Sequence, residues 1–313
     1  MRIVDKLIAQ VRAQTENEEV SATIGISDSE FLQYLNDAQD RLQSVVEATH
    51  PTAFVKEKII EAPRDQERYE LPVDAYKKNA ITTVEYSPSS NDDDYYHLEQ
   101  VGLKSRSTSI QGFPTSYIRR SGAILLQPAP QSAGLLRLNY VKRINRLDRR
   151  RGKVTVSVLN STARTITSLE LDPASSSPVL DATTLNTENY ICVVDRDGNM
   201  LMANIPIESV NASTGVVTIS SGYSYELGES LPVGAYVVSG QDTSTHSEFP
   251  RMAERYLISY AAWKILKRDS SVDYQEQQDE LLAMESDIIN SFADIDDDVK
   301  FVPVLNRWDD FSN

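Results

Sequence analysis

Apolar residues recur at helical spacing near both ends of the chain, which predicts two pairs of amphipathic helices. The first helix is expected within residues 2–15. The third opens at Phe249-Pro250, with proline in the first turn, where it is favoured. The fourth begins at about Ser271. The apolar face of the first consists of Ile3, Val4, Leu7, Ile8 and Val11, that of the third of Met252, Ala253, Tyr256, Leu257, Tyr260, Ala261, Ile265 and Leu266, and that of the fourth of Tyr274, Leu281, Met284, Ile288 and Phe292.

The second predicted helix has the clearest start in the sequence. Ser27 can cap it, and Glu30 stands three residues later, where a capping box requires an acid. Ile26 and Phe31 flank the start as a hydrophobic staple. The helix is predicted to end before Pro51. Its apolar stripe consists of Phe31, Leu35, Ala38, Leu42, Val45 and Val46.

Between the helix pairs the apolar pattern changes to short alternating runs separated by Pro, Gly, Asn and Asp, which is typical of antiparallel strands. From about residue 152 to 242 the chain is rich in Ser, Thr, Val and Gly and holds only three basic residues. This stretch has enough short strands for a separate small barrel or sandwich. The runs before it are 54–60, 68–71, 81–86, 95–101, 115–119, 124–127 and 135–141, and those within it are 154–159, 166–171, 190–194, 200–203, 216–220 and 235–239.

The predicted fold class is α+β. Isolated helices of this length are marginally stable, so the N- and C-terminal pairs are expected to pack into one helical bundle beside an antiparallel β part. Residues 1–150 would form the N-terminal helices and β part of a core, and 151–243 an inserted all-β domain. Residues 244–293 would complete the bundle, and 294–313 would form an extended tail.

Composition limits the function classes. The net charge of −15 disfavours free binding to nucleic acid, although it is compatible with a chain that lines a DNA conduit. The single cysteine, Cys192, excludes an intramolecular disulfide and fits a reducing compartment. No stretch approaches the roughly 20 apolar residues of a transmembrane helix, so no membrane partner is expected.

Motifs for catalysis or metal binding are not found in the sequence. His50, His97 and His246 do not lie at ligand spacing, and no common phosphate-binding loop or nucleophile elbow occurs. The run Asp195-Arg196-Asp197-Gly198-Asn199 resembles the start of a calcium loop, but its later positions do not fit, so a hairpin turn is predicted. Asp92-Asp93-Asp94 is likewise interpreted as a turn. We therefore expect no catalytic residues, no metal and no cofactor.

Two charge blocks stand out. Residues 142–153 hold seven basic residues and one acid, whereas residues 269–298 hold eleven acids and no Lys or Arg. Solvated surface explains either block alone, but together they suit a head-to-tail ring in which a basic edge meets a neighbour's acidic edge. Arginines facing DNA in a channel are the second interpretation. The candidate inter-subunit or channel cluster is Lys142, Arg143, Arg146, Arg149, Arg150 and Arg151.

Three stretches resemble the family of short-tailed phage head-to-tail adaptor, or neck, proteins that includes tail tubular protein A. The helix opening Ile26-Ser27-Asp28-Ser29-Glu30-Phe31 continues as Leu35-Asn36-Asp37-Ala38-Gln39. The middle signature is Phe113-Pro114-Thr115-Ser116-Tyr117, followed by Ile124-Leu125-Leu126-Gln127-Pro128-Ala129-Pro130 and Leu136-Arg137-Leu138-Asn139-Tyr140. Near the end stand Phe249-Pro250 and Tyr256-Leu257-Ile258-Ser259-Tyr260-Ala261-Ala262. Residues 152–242 depart from the shorter members of the family.

The resemblance implies a non-enzymatic virion protein, made in the host cytoplasm and placed at the head–tail junction. Its partners would be the portal protein, tail nozzle or fibre proteins, and copies of itself in a dodecameric ring through which genomic DNA passes. It also implies that the C-terminal tail binds the portal, which assigns that role to Phe301, Val302, Pro303, Leu305 and Trp308. The alternatives are another virion structural protein, such as a tail or capsid decoration subunit, and an enzyme or carbohydrate-binding protein.

Overall fold

The computed structural model describes residues 3–15, 26–76, 80–88, 94–102, 111–120, 122–159, 164–168, 190–211, 215–220, 231–268 and 274–296. Within these ranges lie four helices, two four-stranded sheets and a closed barrel of six strands. The α+β class predicted from the sequence is confirmed.

The helices come from the two ends of the chain: α1 (Val4–Gln14), α2 (Asp28–Thr49), α3 (Ala253–Arg268) and α4 (Tyr274–Asp296). Their apolar faces form one hydrophobic core, in which α3 contacts the other three helices and α2 contacts α4. Ser27 accepts a hydrogen bond from the backbone N–H of Glu30, so α2 begins as predicted. The core includes Leu7, Phe31, Leu35, Leu42, Phe249, Tyr256, Leu257, Ile288 and Phe292.

The start of the third helix was predicted too early. Residues 250–252 form a turn, in which the backbone N–H of Ala253 donates to the carbonyl oxygen of Pro250 at 2.8 Å, and α3 begins at Ala253. The turn places Phe249 in the core instead of on the helix.

Two four-stranded sheets follow α2. One has the order β1-β10-β3-β4 and the other β2-β8-β7-β5, and one hydrophobic core lies between them. The two-residue strands β6 and β9, which carry no periodic signal, were not predicted. The strands are β1 (Val55–Ala62), β2 (Arg68–Glu70), β3 (Ile81–Ser87), β4 (Tyr96–His97), β5 (Glu99–Val101), β6 (Gln111–Gly112), β7 (Ser116–Arg120), β8 (Ala123–Gln127), β9 (Ala129–Pro130) and β10 (Gly134–Val141).

The serine- and threonine-rich stretch forms a closed barrel in the order β12-β13-β16-β15-β14-β17, where the sequence left barrel and sandwich open. β12 closes it by pairing with both β13 and β17. β15 is longer than predicted because its first half pairs with β14 and its second half with β16. The remaining strands are β11 (Arg146–Leu147), β12 (Gly152–Leu159), β13 (Arg164–Ser168), β14 (Tyr190–Val194), β15 (Met200–Asn211), β16 (Val216–Ile219), β17 (Tyr236–Ser239) and β18 (Thr243–Ser244).

Candidate interaction site at the helix–barrel junction

The basic segment, residues 142–151, is the connection that leads from the sheets into the barrel. It runs from the end of β10 to the start of β12, beside the segment that returns from the barrel to α3. The two connections pair as parallel strands β11 and β18, with Arg146 opposite Thr243 and Leu147 opposite Ser244. The barrel is therefore joined to the helices by a hydrogen-bonded double strand.

A row of buried side-chain amides on α2 holds the basic segment in place. The side-chain amide of Asn36 donates to the carbonyl oxygen of Leu147 at 3.0 Å and accepts from the Leu147 N–H at 2.8 Å. Gln43 does the same two turns further along the same face of the helix, donating to the Lys142 carbonyl at 2.9 Å and accepting from the Ile144 N–H at 3.2 Å. Each amide therefore pairs with the backbone as a neighbouring strand would.

Gln39 lies between these two amides and binds both connections. It donates to the carbonyl oxygen of Asn145 at 3.3 Å and accepts from the Ser247 hydroxyl at 2.8 Å. All three amides of the row are buried. Their role was not predicted from the sequence, in which Asn36 and Gln39 contributed only to the family resemblance. The available signal was three polar residues at helical spacing next to the apolar stripe of α2.

Replacing Asn36 by Leu is expected to lower the free energy of unfolding by about 2–4 kcal/mol, because the N–H and C=O of Leu147 would stay buried without partners. Urea unfolding followed by circular dichroism measures the change. Gln33→Leu is the matched control on the exposed face of the same helix, where we expect a change within about 0.5 kcal/mol. Equal effects of the two substitutions would show that the amide pairing contributes nothing.

Four of the six residues of the predicted basic cluster have acidic partners within the same chain. Lys142 pairs with Glu248 at 2.8 Å and Arg151 with Asp148 at 3.1 Å. Arg149 pairs with Asp5 at 2.8 Å and also with Asp28. The Arg150 guanidinium lies 4.0 Å from Asp5. Arg149 and Arg150 connect the segment to α1, Arg149 also to the start of α2, and Lys142 to the return connection, whereas Arg151 pairs within the segment.

The other two members of the cluster, Arg143 and Arg146, are exposed, and their side chains make no hydrogen bond or ion pair within the described part of the chain. Arg146 lines an open cleft of about 490 Å³ between the first turns of α2 and the barrel. Other residues lining this cleft are Ser29, Leu32, Gln33, Leu147 and Gln241. Arg143 and Arg146 are therefore the members of the cluster that are available to another molecule.

The acidic block contains one buried carboxylate with a structural role. Glu285 accepts a hydrogen bond from the Tyr256 hydroxyl at 2.6 Å and pairs with the Arg41 guanidinium at 2.6 Å. Burial and this hydrogen bond raise the pKa of Tyr256, which keeps its hydroxyl protonated. The three side chains connect α2, α3 and α4.

Among the α4 side chains that the structure describes, the exposed acids are Asp279, Glu280 and Asp287. Glu280 pairs with Arg255 of α3 at 2.9 Å. Asp279 and Asp287 have no ion pair or side-chain hydrogen bond in the residues that the structure describes. Two negative charges of α4 are therefore open to another molecule.

The basic and acidic surfaces lie on opposite sides of α2. At about 100° per residue, Arg41, which contacts α4, lies about 140–160° around the helix from each of Asn36, Gln39 and Gln43. The amide row faces the basic connection, whereas Arg41 faces the acidic helix. The tertiary structure thus places Arg143 and Arg146 and the exposed acids of α4 on opposite flanks of α2.

The acidic run 195–199 forms the predicted hairpin turn between β14 and β15. Asp195 accepts hydrogen bonds from the backbone N–H groups of Asp197 and Asn199, which closes the hairpin turn. Among the described residues no group of three or more His, Cys, Asp or Glu side chains could hold a metal ion.

Cys192 is buried in β14. No helix in the described ranges is long and apolar enough to span a bilayer.

Several predicted site residues lie outside the described residues. These include the whole proposed portal-binding tail, namely Phe301, Val302, Pro303, Leu305 and Trp308, and the acids Asp92 and Asp93. Their roles stay predictions.

Comparison with known families matches residues 3–152 to the SU10 adaptor protein family. The match covers α1, α2 and both sheets, and it ends at the start of the barrel. It confirms, for this part of the chain, the resemblance to phage head-to-tail adaptors. A comparison with curated proteins gave no match.

Proposed function

We propose that this protein is a head-to-tail adaptor that forms a dodecameric ring on the phage portal and provides the platform for the tail nozzle or fibres. The observation that carries the proposal is the match of residues 3–152 to the SU10 adaptor protein family. The two flanks of α2 support it, since a ring built head to tail needs two different, complementary surfaces on each subunit.

Within this proposal, the three parts of the chain have separate tasks. The shared core of N- and C-terminal helices, with the two sheets, is the part of the subunit that repeats around the ring axis. The barrel of residues 151–243 faces outward and contacts nozzle or fibre proteins. The tail of residues 294–313 reaches the portal, and genomic DNA passes along the ring axis without sequence-specific binding.

The free protein is expected to be monomeric or weakly associated and to form rings only on the portal. A subunit with a net charge of −15 repels its copies, and a template offsets this repulsion by holding them in place. Mass photometry with and without the portal protein of the same phage measures this. Twelve copies on each portal is the expected result.

Two results would contradict the proposal. Stable rings of the free protein would refute the role of the template. Failure to associate with the portal, or a trimer independent of it, would favour a decoration subunit of the tail or capsid.

A further inference from the structure

The outward face of α4 combines negative charge with one exposed apolar side chain. Asp279, Leu282 and Ser286 follow one another at three- and four-residue spacing, which places them on one face of the helix. Leu282 is 47% exposed, whereas Leu281 and Ile288, on the inner face, are buried. Leu282 and Asp279, whose side chain has no partner in the described residues, form a small patch that is both apolar and negative.

The cleft at the helix–barrel junction has the complementary features. Arg146 provides a guanidinium without an acidic partner in the described residues, and a guanidinium can bind a carboxylate through two parallel hydrogen bonds. Leu32, which is half-buried, supplies apolar surface beside it. Ser29, Gln33 and Gln241 are polar and uncharged, and the one acid in the lining, Asp148, is buried and paired with Arg151 at 3.1 Å.

These two surfaces cannot meet within one subunit, because they lie on opposite sides of α2. A second copy can bring its α4 to the cleft of the first while its own cleft stays open for a third. Such a contact is heterologous, and it closes into a ring when the rotation between copies divides the circle evenly.

We propose that α4 of one copy docks in the helix–barrel cleft of the next copy, with Asp279 at Arg146 and Leu282 against Leu32. This inference rests on the proposed ring and names the surfaces that build it. Nucleic acid fits the cleft less well, because only one unpaired cation lines it and the chain is strongly acidic. Solvent-exposed ion pairs are weak and screened by salt, which agrees with a ring that needs the portal as a template.

Charge reversal tests the pairing. Arg146→Asp places acids against acids, and Asp279→Arg places arginine against arginine. Each single variant should need a roughly tenfold higher concentration, or more, to half-fill the portal, because like charges across an interface oppose binding. A chain that carries both substitutions restores opposite charges and should recover most of the occupancy.

Matched controls reverse charges outside both surfaces. Arg64→Asp and Glu208→Arg change exposed residues and alter the net charge by the same amounts as the test variants. Both controls should fill the portal as the unmodified chain does. The unfolding midpoints of all variants should agree, since every substituted side chain is exposed.

The outcomes separate this inference from the proposed function. If the unmodified chain fills the portal and the single reversals do so equally well, the docking model is wrong and the adaptor function stands. If the double variant is no better than the single ones, the pairing is wrong. If Arg146→Asp leaves ring occupancy unchanged but weakens retention of duplex DNA on a filter, the arginine faces DNA. If the unmodified chain does not bind the portal, the adaptor function itself fails.

Discussion

Deletion of residues 300–313 is expected to abolish attachment to the portal while leaving the fold unchanged. The deleted segment holds a tryptophan, two phenylalanines and several aliphatic residues, and buried aromatic side chains carry most of the binding energy of typical interfaces. All members of the described helical core lie before residue 293, so the deletion removes none of them.

Pull-down of the truncated chain by immobilised portal protein measures the loss, and urea unfolding checks the fold. Trp308→Ala should cause most of the loss by itself, because tryptophan is enriched among interface hot spots. Asn306→Ala is the matched control in the same segment and should bind as the full chain does. Undiminished binding of the truncated chain would move the portal contact to another part of the molecule.

Replacing Phe249 by Ala is expected to lower the free energy of unfolding by about 3–5 kcal/mol, through lost burial and the cavity that remains. Phe249 is fully buried, and its ring contacts Phe54 edge to face, with 5.7 Å between ring centroids. Phe54 in turn contacts Phe292 of α4, with 5.8 Å between centroids. The substitution therefore weakens the point at which both ends of the chain meet the β part.

Equilibrium urea unfolding of both variants measures the effect of Phe249→Ala against Met252→Ala. Met252 lies three positions away in the same turn and is 48% exposed, so its truncation should change stability by at most about 0.5 kcal/mol. Similar losses for the two variants would mean that the aromatic cluster does not hold the helices and sheets together.

The second helix could be predicted in detail because its signals are local. Ser27, the apolar stripe from Phe31 to Val46 and the proline after His50 all act within a few residues, and the structure places α2 at Asp28–Thr49. The start of α3 was predicted wrongly because Pro250 suits both a first helical turn and a β-turn. Packing of Phe249 against Phe54 favoured the β-turn.

The order of the strands could not be predicted, because it depends on residues far apart in the chain. β1 pairs with β10, which follows it by more than seventy residues, and β12 pairs with β17, which closes the barrel. Alternating apolar residues indicate that a strand has a buried face, but they do not identify its neighbour.

The basic cluster shows the same limit for the candidate site. The sequence places six cations within ten positions but does not reveal which acids lie near them. Asp5, Asp28, Asp148 and Glu248 pair with four of the cations, and the fold leaves Arg143 and Arg146 exposed. A count of charges therefore overestimated the surface that is available to another molecule.

By itself the sequence determined the class of the fold, the capped second helix, the strand-rich insertion and the two opposite charge blocks, because each depends on composition or on spacing within one element. Only the tertiary structure decided that Asn36, Gln39 and Gln43 bind the backbone of the connection to the barrel, and that the basic and acidic surfaces lie on opposite sides of α2. Hydrogen bonds and ion pairs between distant segments depend on where the chain brings their atoms together, and no local pattern encodes that position.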